Sequence, residues 1–221
     1  MEISIAWYDF DQTAGGVNIG SGTVQVGDLL LFSSNLRATG TASAPAVTLS
    51  GTATTTAVTQ IDNRRYDTGG TSDGAARTYW CTVTAGGSLT FSTSGSNSYY
   101  TSALYRDAEG QSLTINTTTV AKREGSTNGA PTALSERAAG SSLIWYAQGG
   151  GGSGANFNPV LTNGDFSAAS QGNGVNGGYH KCGATEVSND RDILTPGTTT
   201  VNGTATVNGG AVYIFAEIVA A

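Results

Sequence analysis

The chain has 221 residues and a formal net charge of -6, with a pI near 4.6. Its ten basic residues are scattered, which argues against a nucleic-acid partner, because such binding draws its affinity from clustered Lys and Arg. Charged residues make up 12% of the chain, about half the usual share, and 32 glycines are about twice the usual frequency, so long amphipathic helices are excluded and an all-β chain is expected.

At this length, folding buries roughly 70% of the extended-chain surface, enough for one real core, and residues 1–221 read as a single β-sandwich domain. Glu2 to Tyr8 alternates, with Ile3, Ile5 and Trp7 on one face, and predicts a first strand. Gly15-Gly16 and Gly20-Ser21-Gly22 mark turns before Thr23 to Val26. Val26-Gly27-Asp28 then opens straight into Leu29-Leu30-Leu31-Phe32, a short apolar run that reads as a strand buried on both faces. Gly140 to Tyr146 repeats this turn-then-apolar grammar, and two such strands imply a sandwich. Pro45 precedes Val47 and Leu49. A Thr-rich strand follows from Thr54 to Ile61, then a polar loop from Asp62 to Gly74 that holds Arg64 and Arg65.

Ala75 to Thr84 and Leu89 to Ser92, joined through Gly86-Gly87, predict a hairpin, and Tyr99 to Arg106 adds a third antiparallel strand. Ser112 to Ala121 alternates as another strand. Pro131 to Ala139, closed by Gly140, suits a helical turn or two, the one place in the chain for a short helix. Gly149 to Gly154 reads as a flexible loop. Thr198 to Val207 and Ala211 to Val219, joined by Asn208-Gly209-Gly210, predict a closing hairpin. The Leu29 and Leu143 strands sit at similar places in the two halves, and each half closes on a Tyr-bearing strand; shared strand grammar accounts for this likeness without a duplication. The fold class is therefore all-β, a two-sheet antiparallel β-sandwich, jelly-roll-like, with at most one short helix.

Chemistry-bearing residues are sparse. One histidine, His180, excludes any site needing two imidazoles from one chain, and His180-Lys181-Cys182 places His and Cys on one strand face without further ligands. Gly172 to Gly177 has the letters of a dinucleotide fingerprint but no βαβ context: neither a leading strand nor a following helix is expected there. Asp9 with Asp11, and Asp190 with Asp192, fall short of the six to eight oxygens a calcium loop needs. No catalytic residue, cofactor or metal is nominated. Met1 to Trp7 lacks the basic start and apolar core of a secretory signal, and no run approaches a membrane span. Cys81 and Cys182 in such a chain read as two free, buried thiols, with a disulfide as the alternative.

Adjacent aromatics remain: Trp7-Tyr8, Tyr79-Trp80, Tyr99-Tyr100 and Trp145-Tyr146. Strand neighbours point to opposite faces, so each pair sets one ring inward and one outward. Tyr8, Tyr79, Tyr100 and Tyr146 are the candidate interface or ligand-stacking residues. If a second layer covers the outer face, the same rings become packing.

Gly27-Asp28-Leu29-Leu30-Leu31, Pro45 to Gly51, Tyr79 to Phe91 and Ser102 to Arg106, in that order, resemble a β-sandwich module of tailed-bacteriophage virion proteins. The resemblance covers roughly residues 20 to 110. The Trp that follows Ser-Gly in that family is missing after Ser50-Gly51, and Asp107 stands where the family has Gly after Arg. The resemblance implies a non-enzymatic virion structural protein, assembled in the host bacterial cytoplasm, with other virion proteins (major capsid or tail proteins) and further copies of itself as partners. It points first to a capsid decoration or cement-like role, with a tail or fibre adhesin as the alternative; a glycan-binding module, whose outward tyrosines and tryptophans would stack on sugar rings, is the alternative from another class.

Overall fold

A computed structural model describes residues 3–11, 17–38, 46–66, 73–93, 98–125, 132–134, 142–150, 156–161, 166–173, 180–187, 199–206 and 211–221. These residues are all-β, with no helix among them, and every strand pair is antiparallel. The strands up to residue 107 are β1 (Ile3–Asp11), β2 (Val17–Val24), β3 (Leu29–Ala38), β4 (Val47–Gly51), β5 (Thr54–Thr55), β6 (Thr59–Tyr66), β7 (Asp73–Ala85), β8 (Gly87–Thr93) and β9 (Ser98–Asp107). Those that follow are β10 (Leu113–Gly125), β11 (Thr132–Leu134), β12 (Ser142–Gly150), β13 (Asn156–Leu161), β14 (Phe166–Asn173), β15 (His180–Val187), β16 (Thr199–Thr206) and β17 (Ala211–Ala220).

Four sheets result: β1-β9-β3-β7 with β5 and β6 on the outer edge of β7, β2-β8-β4, β10-β17-β12-β15-β14, and β11-β16-β13. The first of these has both faces covered, and β3 shows why its sequence is apolar without alternation. Leu29 and Leu31 pack with Ile3 and Tyr105 against Leu113, Ile115, Ala216 and Ile218 of β10 and β17. Leu30 and Phe32 pack on the opposite face against Ile19, Val24 and Leu89 of the β2-β8-β4 sheet. All three leucines are fully buried, each contributing about 1.5–3 kcal/mol of burial. Beyond Phe32 the strand turns polar, and its buried Ser33 Oγ meets Thr78 Oγ1 at 3.0 Å.

The predicted Ala75-to-Ser92 hairpin is not one. β7 belongs to the sheet with β3, whereas β8 pairs with β2 and β4, so the chain changes sheets at Gly86-Gly87. Residues 51–54 make the same passage from β4 to β5, and the two crossings are bonded together: Thr52 and Ala53 N–H both donate to Ser88 O at 3.0 Å. The Ser88 N–H donates to Thr52 Oγ1, also at 3.0 Å. A Cβ on Gly87 would lie 2.5 Å from Ala53 N and 2.9 Å from Ala53 Cα, so the glycine is there for close backbone approach rather than for a hairpin turn. Corners in layered β proteins are made in this way, by strands that bend from one sheet into the next. Along the outer side of the corner, hydroxyls pair across strands, Thr48 with Ser92 at 2.9 Å, Thr52 with Ser88 at 3.1 Å and Thr54 with Thr84 at 2.8 Å, which accounts for the Thr and Ser content here.

The closing hairpin fails for the same reason. β16 pairs with β11 and β13, and β17 with β10 and β12; the Asn208-Gly209-Gly210 turn itself lies outside the described residues. Other loops turn out to be strand. β6 carries pairing through Arg64 and Arg65 to Tyr66, where a polar loop was expected, because an edge strand with one exposed side tolerates charge. Thr132–Leu134, the described part of the Pro131-to-Ala139 segment, is the strand β11 rather than a helical turn, and Gly149 and Gly150 end β12 paired to Val212 and Ala211; the rest of both segments lies outside the described residues. A strand, β14, does lead into Gly172-Asn173, but it pairs antiparallel with β15, so the dinucleotide reading still lacks its parallel unit.

Strand order in the second half repeats the first. β10-β17-β12-β15-β14 corresponds position by position to β1-β9-β3-β7-β6, and β11-β16-β13 to β2-β8-β4. The likeness ascribed to shared strand grammar is thus a likeness of whole topology.

Candidate functional site

The Gly27-Asp28 turn organises the junction between the halves. Gly27 adopts φ +90°, in the left-handed region, where a Cβ would also press on Gln111 O at 3.3 Å. Asp28 closes the turn by accepting the Gln25 N–H at Oδ2, 2.7 Å. Its carboxylate, 1% exposed, is held by Arg106 from the end of β9: Nε to Oδ1 and Nη2 to Oδ2, both 2.7 Å. Arg106 Nη2 also donates to Thr23 O at 2.7 Å. The hydrogen bond from Asp28 pushes the Arg106 guanidinium above its usual range, against a smaller opposing effect of burial. The bidentate fork is the geometry that planar guanidinium and carboxylate favour.

Backbone bonds tie this turn to both neighbours. Gly27 N–H donates to Val83 O at 2.9 Å, Val83 N–H to Asp28 O at 2.8 Å, and Leu113 N–H to Gly27 O at 3.0 Å. Thr82 Oγ1 donates to Leu113 O at 2.7 Å. Beside this knot lies an open groove of about 590 Å³, with Trp80, Leu113 and the exposed Val26 as apolar wall and Thr56, Thr82 and Thr84 among its hydroxyls. All its lining side chains are aliphatic, aromatic or hydroxyl-bearing. This lining offers van der Waals attraction and neutral hydrogen bonding.

Of the four candidate aromatic residues, Tyr79 has a described side chain, and it lies in the core. Tyr79 is 8% exposed and its ring stacks on Phe32 at 5.4 Å, which in turn stacks on Phe91 at 5.9 Å, making a three-ring core pile between β7, β3 and β8. The covered outer face has turned this ring into packing. Tyr8 lies on β1 opposite Ala103, Tyr100 on β9 opposite Ser34, and Tyr146 on β12 opposite Phe215; their side chains lie outside the described ones. The sequence reading chose Tyr79 and passed over Trp80, the aromatic that does line the groove. The parity of β7 could have found it, because Tyr79, Cys81 and Val83 alternate with Thr78, Trp80 and Thr82.

Among the described residues no group of three or more His, Cys, Asp or Glu could hold a metal ion. His180 and Cys182 sit on β15, and Asp9 and Asp11 on β1; Asp190 and Asp192 lie outside the described residues. Cys81 is a buried free thiol, its pKa pushed up to about 11 by burial, with a hydrogen bond to Thr55 opposing the shift. Among the described residues no helix is long and apolar enough to cross a membrane.

The chain matches no known protein family, no curated protein and no solved structure. What can be said of its role therefore comes from its own residues. Gly27-Asp28 and Tyr105-Arg106, 78 residues apart, meet in one partly buried ion pair. The pair joins the turn before β3 to the end of β9.

Proposed function

We propose that this protein is a non-enzymatic structural component of a bacteriophage particle, a capsid decoration or cement-like protein seated on the particle surface and assembled in the host cytoplasm. The observation that carries the reading is the Asp28–Arg106 pair, which gives the residues of the virion-like motif a structural task. Strand order supports it. The orders β1-β9-β3-β7 and β2-β8-β4 are ones a jelly-roll sandwich would have, an architecture used by viral capsid and lectin domains. Major capsid or tail proteins are the partners, and repeated copies around a symmetric particle would turn modest contacts into strong retention.

The experiment mixes the purified chain with capsids lacking it and sediments the mixture. Co-sedimentation at saturable stoichiometry is expected; a chain that never pellets with particles removes the reading. A tail or fibre adhesin predicts the opposite partition, with binding to cells or tails and none to capsids. One observation favours a glycan-binding role as second reading: a groove that combines Trp80 with neutral hydroxyls suits sugar rings. Titration calorimetry against a neutral glycan panel decides it, and a Trp80→Ala chain that binds as the parent does would dismiss it.

A further inference from the structure

We infer that this chain is a covalently joined pseudo-dimer: the inner face of the β1-β9-β3-β7 sheet is a dimer surface whose partner is a second copy of the same unit, supplied by the chain's own second half. Three independent features carry the inference. The first is register, which is finer than strand order. In the first half one row runs Ile5, Tyr105, Leu29, Thr82 across β1, β9, β3 and β7, and in the second half Ile115, Ile218, Leu143, Glu186 run across the corresponding strands. In the smaller sheets Val17, Phe91 and Leu49 form a row, as do Thr132, Val201 and Leu161. Shared grammar would produce similar strands; it would not set eight of them in the same partnerships with rows aligned across seven.

The second feature is the symmetry of the contact. Had the second unit been stacked by translation, each strand would lie on its own counterpart. Instead β7 lies on β17 while β9 lies on β15, and β6 lies on β10 while β1 lies on β14; β3 and β12, counterparts of each other, meet in the middle. That exchange is the signature of a two-fold axis, on which residue i meets j and j meets i. The axis is approximate: β12 also leans on β7, β17 on β6, and β10 on β7 and β9, without counterpart contacts of the same strength. The third feature is that the same positions form both sides of the interface. In the shared cluster, Ile3, Ala103 and Tyr105 come from one unit, and their register equivalents Leu113, Ala216 and Ile218 from the other.

Joining the units makes their association independent of protein concentration and lets the copies diverge. They have diverged: Asp28 and Arg106 correspond to Ser142 and Val219, so the ion pair is present in one unit alone. The connection from Asp107 to Leu113 is the exposed stretch Ala108–Ser112. Because β10 begins beside Ala220 as β1 begins beside Asp107, a two-fold places the end of the second unit as far from the start of the first as that stretch already spans.

A circular permutant tests this. Ala221 is joined through two glycines to Met1, so that Ala221-Gly-Gly-Met1-Glu2 matches Ala108–Ser112 in length, and the chain is opened between Gly110 and Gln111. A second protein keeps the native order with a protease site inserted at Gly110 and is cleaved after folding. The permutant is expected to keep the parent's circular dichroism and to melt within about 5 °C of it. The cleaved protein is expected to elute as one particle holding both fragments. A permutant that does not fold overturns the inference, because the termini are then not two-fold related. Fragments that separate overturn it as well, because the inner faces are then not a dimer surface. Neither arm depends on what particle the protein joins.

Discussion

Removing the Arg106 side chain tests whether the ion pair closes the fold or merely decorates it. Exposed pairs are worth about 0–1 kcal/mol, whereas deleting one partner of a buried pair costs about 3–5 kcal/mol because a charge is left without compensation. Asp28 is 1% exposed and Arg106 29%, so water reaches the cation side and the lower end of the buried range applies, about 3 kcal/mol for Arg106→Ala. The Gln25 N–H would be the carboxylate's remaining donor among the bonds described here. For a chain of this length the loss corresponds to a fall in Tm of about 6–12 °C. The assay is urea unfolding of Arg106→Ala, Asp28→Asn and the double variant, read as a double-mutant cycle with m held constant. Coupling of about 2 kcal/mol or more between the two positions is expected. An Arg106→Ala variant within about 0.5 kcal/mol of the parent would refute the reasoning, since that is the behaviour of a surface pair.

Because both faces of β3 are core, Leu30→Ala and Leu31→Ala should each cost about 2–5 kcal/mol in urea unfolding, and a cost below about 1 kcal/mol for either would mean that one face is open. Gly87→Ala should destabilise by about 2 kcal/mol or more through its clash with the Ala53 backbone, whereas Gly20→Ala, with nothing within 4 Å, should stay within about 1 kcal/mol of the parent; equal melting temperatures would contradict the corner packing. Cys81 gives a pH dependence. Its thiol rises from 9.0 to about 11 on folding, so the native state holds the proton more tightly, and the contribution is full below pH 9 and lost as pH climbs to about 11, amounting to about 2–3 kcal/mol at most. Stability measured from pH 8 to 11 should fall less steeply in Cys81→Ala than in the parent, and identical slopes would count against burial as the cause.

Local grammar was enough to establish the class of fold. Low charge, abundant Gly and Thr, and runs such as Leu29 to Phe32 announce strands, because strand formation and burial depend on nearest neighbours and on apolar count. The doubly buried character of β3 was readable for that reason, and so were the ends of β9 and the start of β10, which runs on to Gly125 beyond the expected Ala121. Partnership was not. Gly86-Gly87 and Asn208-Gly209-Gly210 are good turn chemistry, yet the strands on either side of each belong to different sheets, because a glycine pair permits a sharp corner as readily as a hairpin and nothing local distinguishes them. The meeting of Asp28 with Arg106, 78 residues apart, the facing of Trp80 into the groove while Tyr79 packs on Phe32, and the two-fold match of the halves were decided only when the layers closed. Each depends on which sheet covers which face, a choice made by long-range packing and not by any window of sequence.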